Sequence, residues 1–195
     1  MSDKAKIVVL TGPSGFVNKT VLINGLLEKS DKFAKVISYT DRPARENEVD
    51  GRDFNFTTED EFTEMIEREV FLEWQLVHAN GYRFGKTKED MARTVAENPG
   101  KFVLTIVNII NYPVFKRYYP DNICIFIDVK DNLKLIEYLR NSPEITDEEE
   151  YEKRYRYATE ERRRRHLADY IINMKDGHED VIEEIMRYLL PEENR

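Results

Sequence analysis

The sequence predicts an α/β fold built on a mainly parallel sheet, because two hydrophobic patterns alternate along it. Short apolar runs typical of strands lie at residues 6–10, 35–39, 102–109 and 122–128. Longer segments with helical spacing of apolar residues lie at 20–29, 58–68, 86–97, 131–140, 147–168 and 178–190. Alternation of this kind favours parallel strands joined by helices. Ligands of such sheets bind beyond the carboxyl ends of the strands.

The first strand is the apolar run from Ile7 to Leu10, and a turn-forming Gly-Pro-Ser-Gly stretch at 12–15 follows it. Two later helices carry start signals of the capping-box kind. Thr58-Glu59-Asp60-Glu61 precedes Phe62, and Thr146-Asp147-Glu148-Glu149 resembles a second box. These signals fix the expected beginnings of the helices near residues 58 and 147.

Composition limits the class of protein. A chain of 195 residues with 41% apolar residues suggests one globular domain, and a net charge of −8 argues against non-specific binding to nucleic acid or anionic membrane. Cys124 is the sole cysteine, and its apolar neighbours indicate a buried strand position. Only four apolar residues precede Gly12 after Lys6, too few for a signal peptide or membrane span. We therefore expect a cytoplasmic protein with no nucleic-acid or membrane partner.

The stretch VVLTGPSGFVNKTVLINGLLEK, residues 8–29, resembles a phosphate-binding loop with an alteration in its middle. Such loops usually read G-x-x-x-x-G-K-[ST] between a strand and a helix. Here the lysine comes one residue late, and asparagine stands near the place of the second glycine. The loop therefore either retains a nucleotide site with one inserted residue or has lost it.

Two further segments extend this resemblance over nearly the whole chain. They read SYTDRPARENEVDGRDFNF at 38–56 and FLEWQLVHANGYRFGKT at 71–87. With the GPSG stretch, their order resembles the guanylate kinase family. The resemblance implies a P-loop kinase fold with helices flanking the sheet and a core at 1–38 and 89–195. It also implies an inserted GMP-binding subdomain at about 39–88 and a helical lid at about 140–160.

On the acceptor side, the resemblance assigns guanine recognition to Ser38 and Glu73, because a carboxylate can accept both N1–H and N2–H of guanine. Arg42 and Arg45 match the pair that holds the GMP phosphate. Glu48 and Asp53 match positions expected to orient these arginines. Together these residues predict a GMP or dGMP pocket.

Three acceptor positions depart from the family pattern. Phe54 and Phe84 stand where the family has tyrosines, so each keeps a ring and lacks the hydroxyl that would donate to the GMP phosphate. Lys86 stands where a threonine or serine contacts the base. A lysine there could offset the lost hydroxyl donors with positive charge.

Other departures affect the phosphate-transfer side. The family's D-I-D-x-Q-G becomes Ile106-Val107-Asn108-Ile109-Ile110-Asn111, so both aspartates near the reacting phosphates are replaced. Arg140 and Arg154 match lid arginines that contact ATP phosphates, whereas Ser142 replaces another and Pro143 interrupts the lid motif. The four arginines at 162–165 follow Glu160 and Glu161, and we expect them to form a solvated helix face.

The register of the opening loop decides its phosphate contacts. Without an insertion, Asn18 takes the lysine position and the site is lost. With one inserted residue, Asn18 replaces the glycine while Lys19 and Thr20 keep their roles, and the apolar residues of the helix match the family pattern. We favour the insertion, with Gly12, Ser14, Gly15, Asn18, Lys19 and Thr20 binding phosphate. Asn18 is then expected at positive φ, because asparagine tolerates that conformation best after glycine.

Three functional hypotheses remain. The first is an ATP-dependent kinase for GMP or dGMP, in which Lys19, Arg42, Arg140 and Arg154 serve catalysis and Thr20 faces the Mg²⁺ bound with ATP. The second is a catalytically degenerate guanylate-kinase-like module that binds nucleotide or a phosphorylated protein partner. The third is a kinase with altered acceptor choice. The kinase is favoured by the retention of Lys19, Thr20 and the four arginines assigned to phosphates, which are Arg42, Arg45, Arg140 and Arg154.

Overall fold

The central sheet has five parallel strands in the order β2-β7-β1-β8-β9. The computed structural model describes residues 4–14, 16–77, 81–129, 131–142, 145–175 and 177–190. The five strands are β1 (Lys6–Thr11), β2 (Phe33–Lys35), β7 (Phe102–Ile106), β8 (Ile123–Val129) and β9 (Tyr170–Met174). The expected α/β fold with a mainly parallel sheet is confirmed.

A second sheet follows β2 in the chain and has the order β4-β3-β6-β5. Its strands are β3 (Tyr39–Thr40), β4 (Asn55–Phe56), β5 (Phe71–Val77) and β6 (Tyr82–Thr87). The strand pair β3 and β4 is parallel, whereas β6 lies antiparallel to both β3 and β5. All of its strands come from the segment expected to hold the acceptor nucleotide.

Seven α-helices and one short 3₁₀ helix connect the strands within the described residues. The α-helices are α1 (Lys19–Lys29), α2 (Glu59–Glu67), α3 (Lys88–Glu97), α4 (Tyr112–Tyr118), α5 (Asn132–Arg140), α6 (Glu148–Arg163) and α7 (His178–Leu189), and the 3₁₀ helix is Arg165–Leu167. The capping box at Thr58 is present, with reciprocal bonds between Thr58 and Glu61. None of the helices in this described portion is both long and apolar enough to cross a membrane.

The central sheet is buried on both faces. Val8 and Leu10 of β1 belong to one core cluster, which includes apolar residues of α1 and α7. Ile7 and Val9 belong to the other, which includes Met91 of α3. Successive strand residues point to opposite faces, so the continuous apolar run in β1 fills both cores. The same burial holds Cys124 inside the second cluster, as its neighbours in the sequence indicate.

Several element predictions need correction. The strand expected at 35–39 is β2 at Phe33–Lys35, and β3 starts separately at Tyr39. The helix expected from residue 86 starts at Lys88, because Thr87 caps it by accepting a bond from Asp90 N–H while Lys86 belongs to β6. The strands β5, β6 and β9 and the helix α4 were not predicted as such. Each of them is defined largely by its partners in a sheet or core.

Candidate functional site

The loop between β1 and α1 is held tightly at both ends. Gly12 has φ +146°, and a Cβ there would lie 2.2 Å from the backbone oxygen of Ile127 in β8. Phe16 and Val17 are each only 5% exposed and belong to the core cluster beside α1. The Phe16 ring meets the Tyr138 ring edge-on at a centroid distance of 4.8 Å. The Phe16–Val17 segment is therefore an apolar anchor for the loop.

Asn18 caps α1. Its backbone has φ −74° and ψ 89°, and its side-chain oxygen accepts a hydrogen bond from Val21 N–H at 3.3 Å. The expected positive φ is therefore wrong: the residue stands just before the helix in a capping conformation, which satisfies one of the free N–H groups of the first turn. The helix begins at Lys19, within one residue of the start expected at residue 20. Gly15, which we expected to bind phosphate, lies outside the described residues.

A carboxylate from α6 occupies the mouth of this loop. Glu161 is fully buried, and its Oε2 accepts a hydrogen bond from Ser14 N–H at 2.6 Å. Its Oε1 accepts hydrogen bonds from Ser14 Oγ and from Asn108 Nδ2, each at 2.6 Å. A carboxylate only accepts hydrogen bonds, so its two oxygens can take all three of these donors. Three donors therefore converge on one anionic group.

Lys19 adds positive charge to this cluster. Its side chain is half-buried in the first turn of α1, and burial lowers the pKa of its ammonium while the charge of Glu161 opposes that change. Burial likewise raises the pKa of the Glu161 carboxyl, against the hydrogen bonds from Ser14 and the charge of Lys19. Thr20, also half-buried, follows in the same turn. The loop mouth is thus a partly dehydrated site in which the charges of Lys19 and Glu161 interact.

Asn108 follows β7, the strand beside β1. Besides donating to Glu161, it accepts a hydrogen bond from Ile110 N–H at 2.8 Å through Oδ1. Both polar atoms of its amide therefore have partners. The residue lies beyond the carboxyl end of a central strand, where parallel sheets place their ligand sites.

Arg42 lies two residues after β3, and its side chain is held by hydrogen bonds. It is 7% exposed, and its Nη2 donates to both oxygens of Glu48, at 2.7 and 2.8 Å. Burial acts to raise the pKa of the Glu48 carboxyl, but the bonds from Arg45 N–H and from Arg42 outweigh it, so this pKa lies below its ordinary value. Glu48 therefore positions Arg42, as its place in the sequence suggested.

The side chain of Arg45 is exposed, in contrast to that of Arg42. The backbone N–H of Arg45 donates a hydrogen bond to Glu48 at 2.8 Å. The structure thus joins the backbone of one arginine and the guanidinium of the other through a single carboxylate. Asp53 accepts bonds from Arg52 and from Val49 N–H, so it orients Arg52 and not the expected pair.

The two phenylalanines at tyrosine positions lie against each other. The Phe54 and Phe84 rings meet edge-on at 5.7 Å between centroids. The Arg42 guanidinium carbon lies 5.5 Å from the centroid of Phe54 and 5.7 Å from that of Phe56. The rings therefore support the buried arginine by packing and by cation–π attraction.

Lys86 and Glu73 lie opposite each other in the second sheet, and Ser38 directly precedes β3. Lys86 of β6 and Glu73 of β5 are register partners, and Lys86 Nζ lies 2.9 Å from Glu73 Oε1. Tyr39 is the register partner of Gly85, so continuing this antiparallel register puts Ser38 opposite Lys86. The structure thus pairs Lys86 with Glu73, and the register of β3 and β6 aligns Ser38 with them.

The two lid arginines are separated. Arg154 of α6 is 6% exposed and lines a small cavity together with Ser14 and Asn108. Arg140 is exposed at the end of α5, where it bonds to Glu148 at 3.0 and 3.1 Å and lies 4.0 Å from the centroid of Tyr151. The structure therefore brings Arg154 to the loop and leaves Arg140 at the surface.

The arginine run at 162–165 is only partly a solvated face, which corrects the sequence interpretation. Arg162 and Arg165 form ion pairs with the buried Asp128 at 2.6 and 2.9 Å, and the other two pair with Glu160. These pairs fix the end of α6 against β8. They thereby help to hold the preceding Glu161 in the loop.

The sequence interpretation did not identify Glu161 as a site residue, although one signal was available. The buried residues of α6 are Tyr151, Arg154, Ala158 and Glu161, a spacing of three, four and three. That spacing forms one helix face. A charged residue that continues such a stripe is expected to point inward rather than into solvent.

Comparison with solved structures supports this architecture. The crystal structure of guanylate kinase from Anaplasma phagocytophilum aligns with a TM-score of 0.71 at 23% identity, covering 97% of this chain and 86% of that one. Shikimate kinase from Bacteroides thetaiotaomicron aligns with a TM-score of 0.53 at 19% identity, covering 94% of this chain and 98% of that one. Both likenesses concern the fold.

Sequence comparison identifies the family. Guanylate kinase of Helicobacter pylori strain J99 is 35% identical over 177 residues, which cover 90% of this chain and 82% of the relative. Guanylate kinase of Caldanaerobacter subterraneus subsp. tengcongensis is 32% identical over 192 residues, covering 97% of this chain and 88% of the relative. The guanylate kinase family profile matches residues 4–192. The chain therefore belongs to the guanylate kinase family.

Proposed function

We propose that the chain transfers the γ-phosphoryl group of ATP to GMP or dGMP. In this reaction Lys19 holds the ATP phosphates at the N-terminus of α1. Arg42 and Arg45 hold the phosphate of the acceptor. Arg154 neutralises charge from the lid side, and Arg140 joins it when the lid closes. Nucleotides are accordingly the partners of the site.

The observation that carries this proposal is the convergence of donors on Glu161. Ser14 N–H, Ser14 Oγ and Asn108 Nδ2 all bond to this buried carboxylate, with Lys19 close enough to influence its pKa. A site that holds a carboxylate with backbone and side-chain donors, a few residues before a helix N-terminus, has the chemistry needed for a phosphate. The altered loop sequence has therefore kept its preference for anions.

ATP must displace Glu161 to use these donors. Glu161 and Arg154 lie on the same buried face of α6, seven residues apart. An outward shift of α6 would withdraw the carboxylate, and the incoming phosphate would then take over its donors. Reclosure would bring Arg154 back to the loop side, where it already lines a cavity with Ser14 and Asn108. Opening and reclosing of the lid would thus replace the Glu161 carboxylate by a phosphate of ATP.

The residues present fit a magnesium ion that arrives with ATP. No cluster of three or more His, Cys, Asp or Glu residues able to hold a metal occurs among the described residues. Mg²⁺ keeps several waters and is commonly held by substrate phosphates with few protein ligands. Thr20 would supply its hydroxyl, and the ion would neutralise charge on the ATP phosphates.

The transfer itself needs positioning and charge neutralisation. An oxygen of the acceptor phosphate attacks the γ-phosphorus in line, and the bond from that phosphorus to the bridging oxygen of ADP breaks. Arg42 suits the acceptor side because Glu48 and the rings of Phe54 and Phe56 already fix its guanidinium. A preorganised cation needs little rearrangement when charge develops.

A second candidate is a module that binds a phosphorylated protein partner without catalysis. It is favoured by the same Glu161 contacts, because the loop donors are satisfied without any nucleotide. It is also favoured by Asn108, which replaces a carboxylate, and by the exposed side chain of Arg45. Such a module would use the acceptor face and would not transfer phosphate.

Turnover distinguishes the two candidates. The purified chain is mixed with Mg²⁺-ATP and GMP, and ADP and GDP are quantified by ion-exchange chromatography. The kinase produces ADP and GDP in equal amounts, and neither accumulates when GMP is omitted. Absence of GDP at high enzyme concentration, together with GMP binding by calorimetry, would refute the kinase and support the module.

A further inference from the structure

The Glu73–Lys86 pair is an unusual feature of the acceptor sheet. The two side chains are 4% and 5% exposed, respectively, and one hydrogen bond of 2.9 Å joins Lys86 Nζ to Glu73 Oε1. The other carboxylate oxygen, Oε2, is buried and has no hydrogen-bond partner among the described residues. A buried carboxylate oxygen without a donor is costly, so this atom is suited to receive one from a ligand.

The row formed by Ser38, Lys86 and Glu73 presents a defined order of groups. In the order of the register, the hydroxyl of Ser38 at the start of β3 comes first, the ammonium on β6 second and the carboxylate on β5 third. Residues opposite one another on antiparallel strands share a face of the sheet. The hydroxyl and the ammonium can donate, and the carboxylate accepts. The row thus reads donor, donor, acceptor.

A 6-oxopurine ring is complementary to this order. Along its edge it offers the N7 acceptor, the O6 acceptor and then the N1–H donor. Ser38 would donate to N7, Lys86 to O6, and N1–H would donate to the free Oε2 of Glu73. Adenine in the same orientation places its 6-amino donor against the ammonium and its N1 acceptor against the carboxylate. Two of its three contacts are therefore unfavourable.

The Lys86 ammonium also limits which hydrogen bonds Glu73 can accept from a base. Guanine and hypoxanthine share N7, O6 and N1–H and differ in the 2-amino group of guanine. A carboxylate reads N1–H and that amino group best with one oxygen for each donor. Lys86 already donates to Oε1, whereas Oε2 is free for N1–H. The 2-amino group must then share Oε1 with the ammonium, so it adds little to binding in this site.

We propose that Lys86 makes the acceptor pocket selective for 6-oxopurine nucleotides as a class, with inosine monophosphate (IMP) accepted nearly as well as GMP. This inference rests on the proposed function, because it concerns the acceptor of the same reaction. Lys86 is a specificity-determining residue in this reading. Its direct contact with O6 replaces the discrimination that a fully available Glu73 would exert against IMP.

The wild-type chain provides the first test. The specificity constants kcat/KM for GMP, IMP and AMP are measured with Mg²⁺-ATP, and the same nucleotides are titrated by calorimetry. We expect IMP within about tenfold of GMP and AMP more than about 100-fold poorer, since one bond to a charged group is worth about one to two powers of ten. A preference for GMP over IMP above about 100-fold would overturn the inference.

Calorimetry separates failure of this inference from failure of the proposed function. If GMP and IMP bind alike and neither is phosphorylated, the selectivity stands and the kinase is refuted. If GMP alone is bound and phosphorylated, the kinase stands and the selectivity is refuted. Binding of AMP as tight as that of GMP, or binding of none of the three, would also overturn the selectivity.

Lys86→Thr tests the role of the ammonium directly. This substitution releases Oε1 of Glu73, so the preference for GMP over IMP should rise at least about tenfold. Lys88→Thr is the matched control, because Lys88 is an exposed neighbour that bonds to the Glu69 carbonyl outside the row. An unchanged ratio in a folded Lys86→Thr protein would contradict the assignment. If that variant does not fold, the wild-type nucleotide series still decides.

Discussion

Replacing Glu161 by glutamine should tighten ATP binding. In the wild-type chain this carboxylate holds Ser14 N–H, Ser14 Oγ and Asn108 Nδ2, each at 2.6 Å, and ATP must displace it. Glutamine has nearly the same shape but no charge and only one oxygen. One of the two oxygen positions then carries an amide NH₂ group, which turns a donor toward a donor.

The magnitude follows from the bonds that change. Hydrogen bonds to charged groups contribute about 1.5–3 kcal/mol, whereas neutral ones contribute about 0.5–1.5 kcal/mol. Weakening three bonds lowers the free energy that holds the side chain of residue 161 in the loop by several kcal/mol. The neutral side chain also avoids the cost of burying a charge, which offsets part of this loss. A net gain of about 2 kcal/mol for ATP corresponds to roughly 30-fold tighter binding.

The assay is calorimetric titration with a non-hydrolysable ATP analogue and Mg²⁺. Glu160→Gln is the matched control, since it removes the same charge from the adjacent residue of α6, which pairs with Arg163 and Arg164 outside the loop. We expect its affinity to stay within about twofold of wild type, as is usual for surface charges. Equal affinities for wild type and Glu161→Gln, or an equal gain in both variants, would refute the displacement model.

Three further outcomes are expected. Because burial raises the pKa of Glu161, this carboxyl takes up a proton at a higher pH than an ordinary glutamate does. Loss of the competing charge as the pH falls should raise wild-type ATP affinity relative to that of Glu161→Gln, and parallel pH profiles of the two proteins in titrations would contradict this. Gly12→Ala should lower the free energy of unfolding, measured in urea, by about 3 kcal/mol, because its Cβ would lie 2.2 Å from a carbonyl oxygen of β8. Gly100→Ala is the control, and it should lower the free energy of unfolding by less because the space around Gly100 is open. Arg45→Ala should weaken GMP binding about tenfold and leave guanosine binding unchanged, with Arg52→Ala as control; equal losses for guanosine and GMP would assign Arg45 a structural role.

Much of the fold could be predicted because several elements are determined by residues that are neighbours in the sequence. The apolar run at Ile7–Leu10 defines β1 whatever surrounds it, and the Thr58 capping box defines the start of α2. By contrast, β5 and β9 carry mixed patterns whose residues alternate irregularly between buried and exposed. Their identity as strands depends on pairing, of β5 with β6, the next strand in the chain, and of β9 with the more distant β8. Such strands are set by tertiary pairing, which a single sequence does not display.

The candidate site was predictable where residue type fixes the chemistry. Arg42 and Glu48 were expected near each other and form a buried pair. The backbone at Asn18 was not predicted correctly, because asparagine suits both the left-handed conformation and a helix cap, and only the position of the helix start decides between them. Glu161 is separated from Ser14 by 147 residues, so the contact between them depends on how α6 packs.

The central claim is that the altered loop still serves phosphoryl transfer through Lys19. The most direct test is the initial rate of GDP formation from Mg²⁺-ATP and GMP in wild type, Lys19→Ala and Lys29→Ala. Lys29 lies at the other end of α1 and pairs with Glu179, so its loss controls for removal of a lysine from the same helix. We predict that Lys29→Ala retains the wild-type rate and that Lys19→Ala loses about 100-fold or more, as expected for a group that stabilises the transferring phosphate. Equal rates for wild type and Lys19→Ala would contradict the claim.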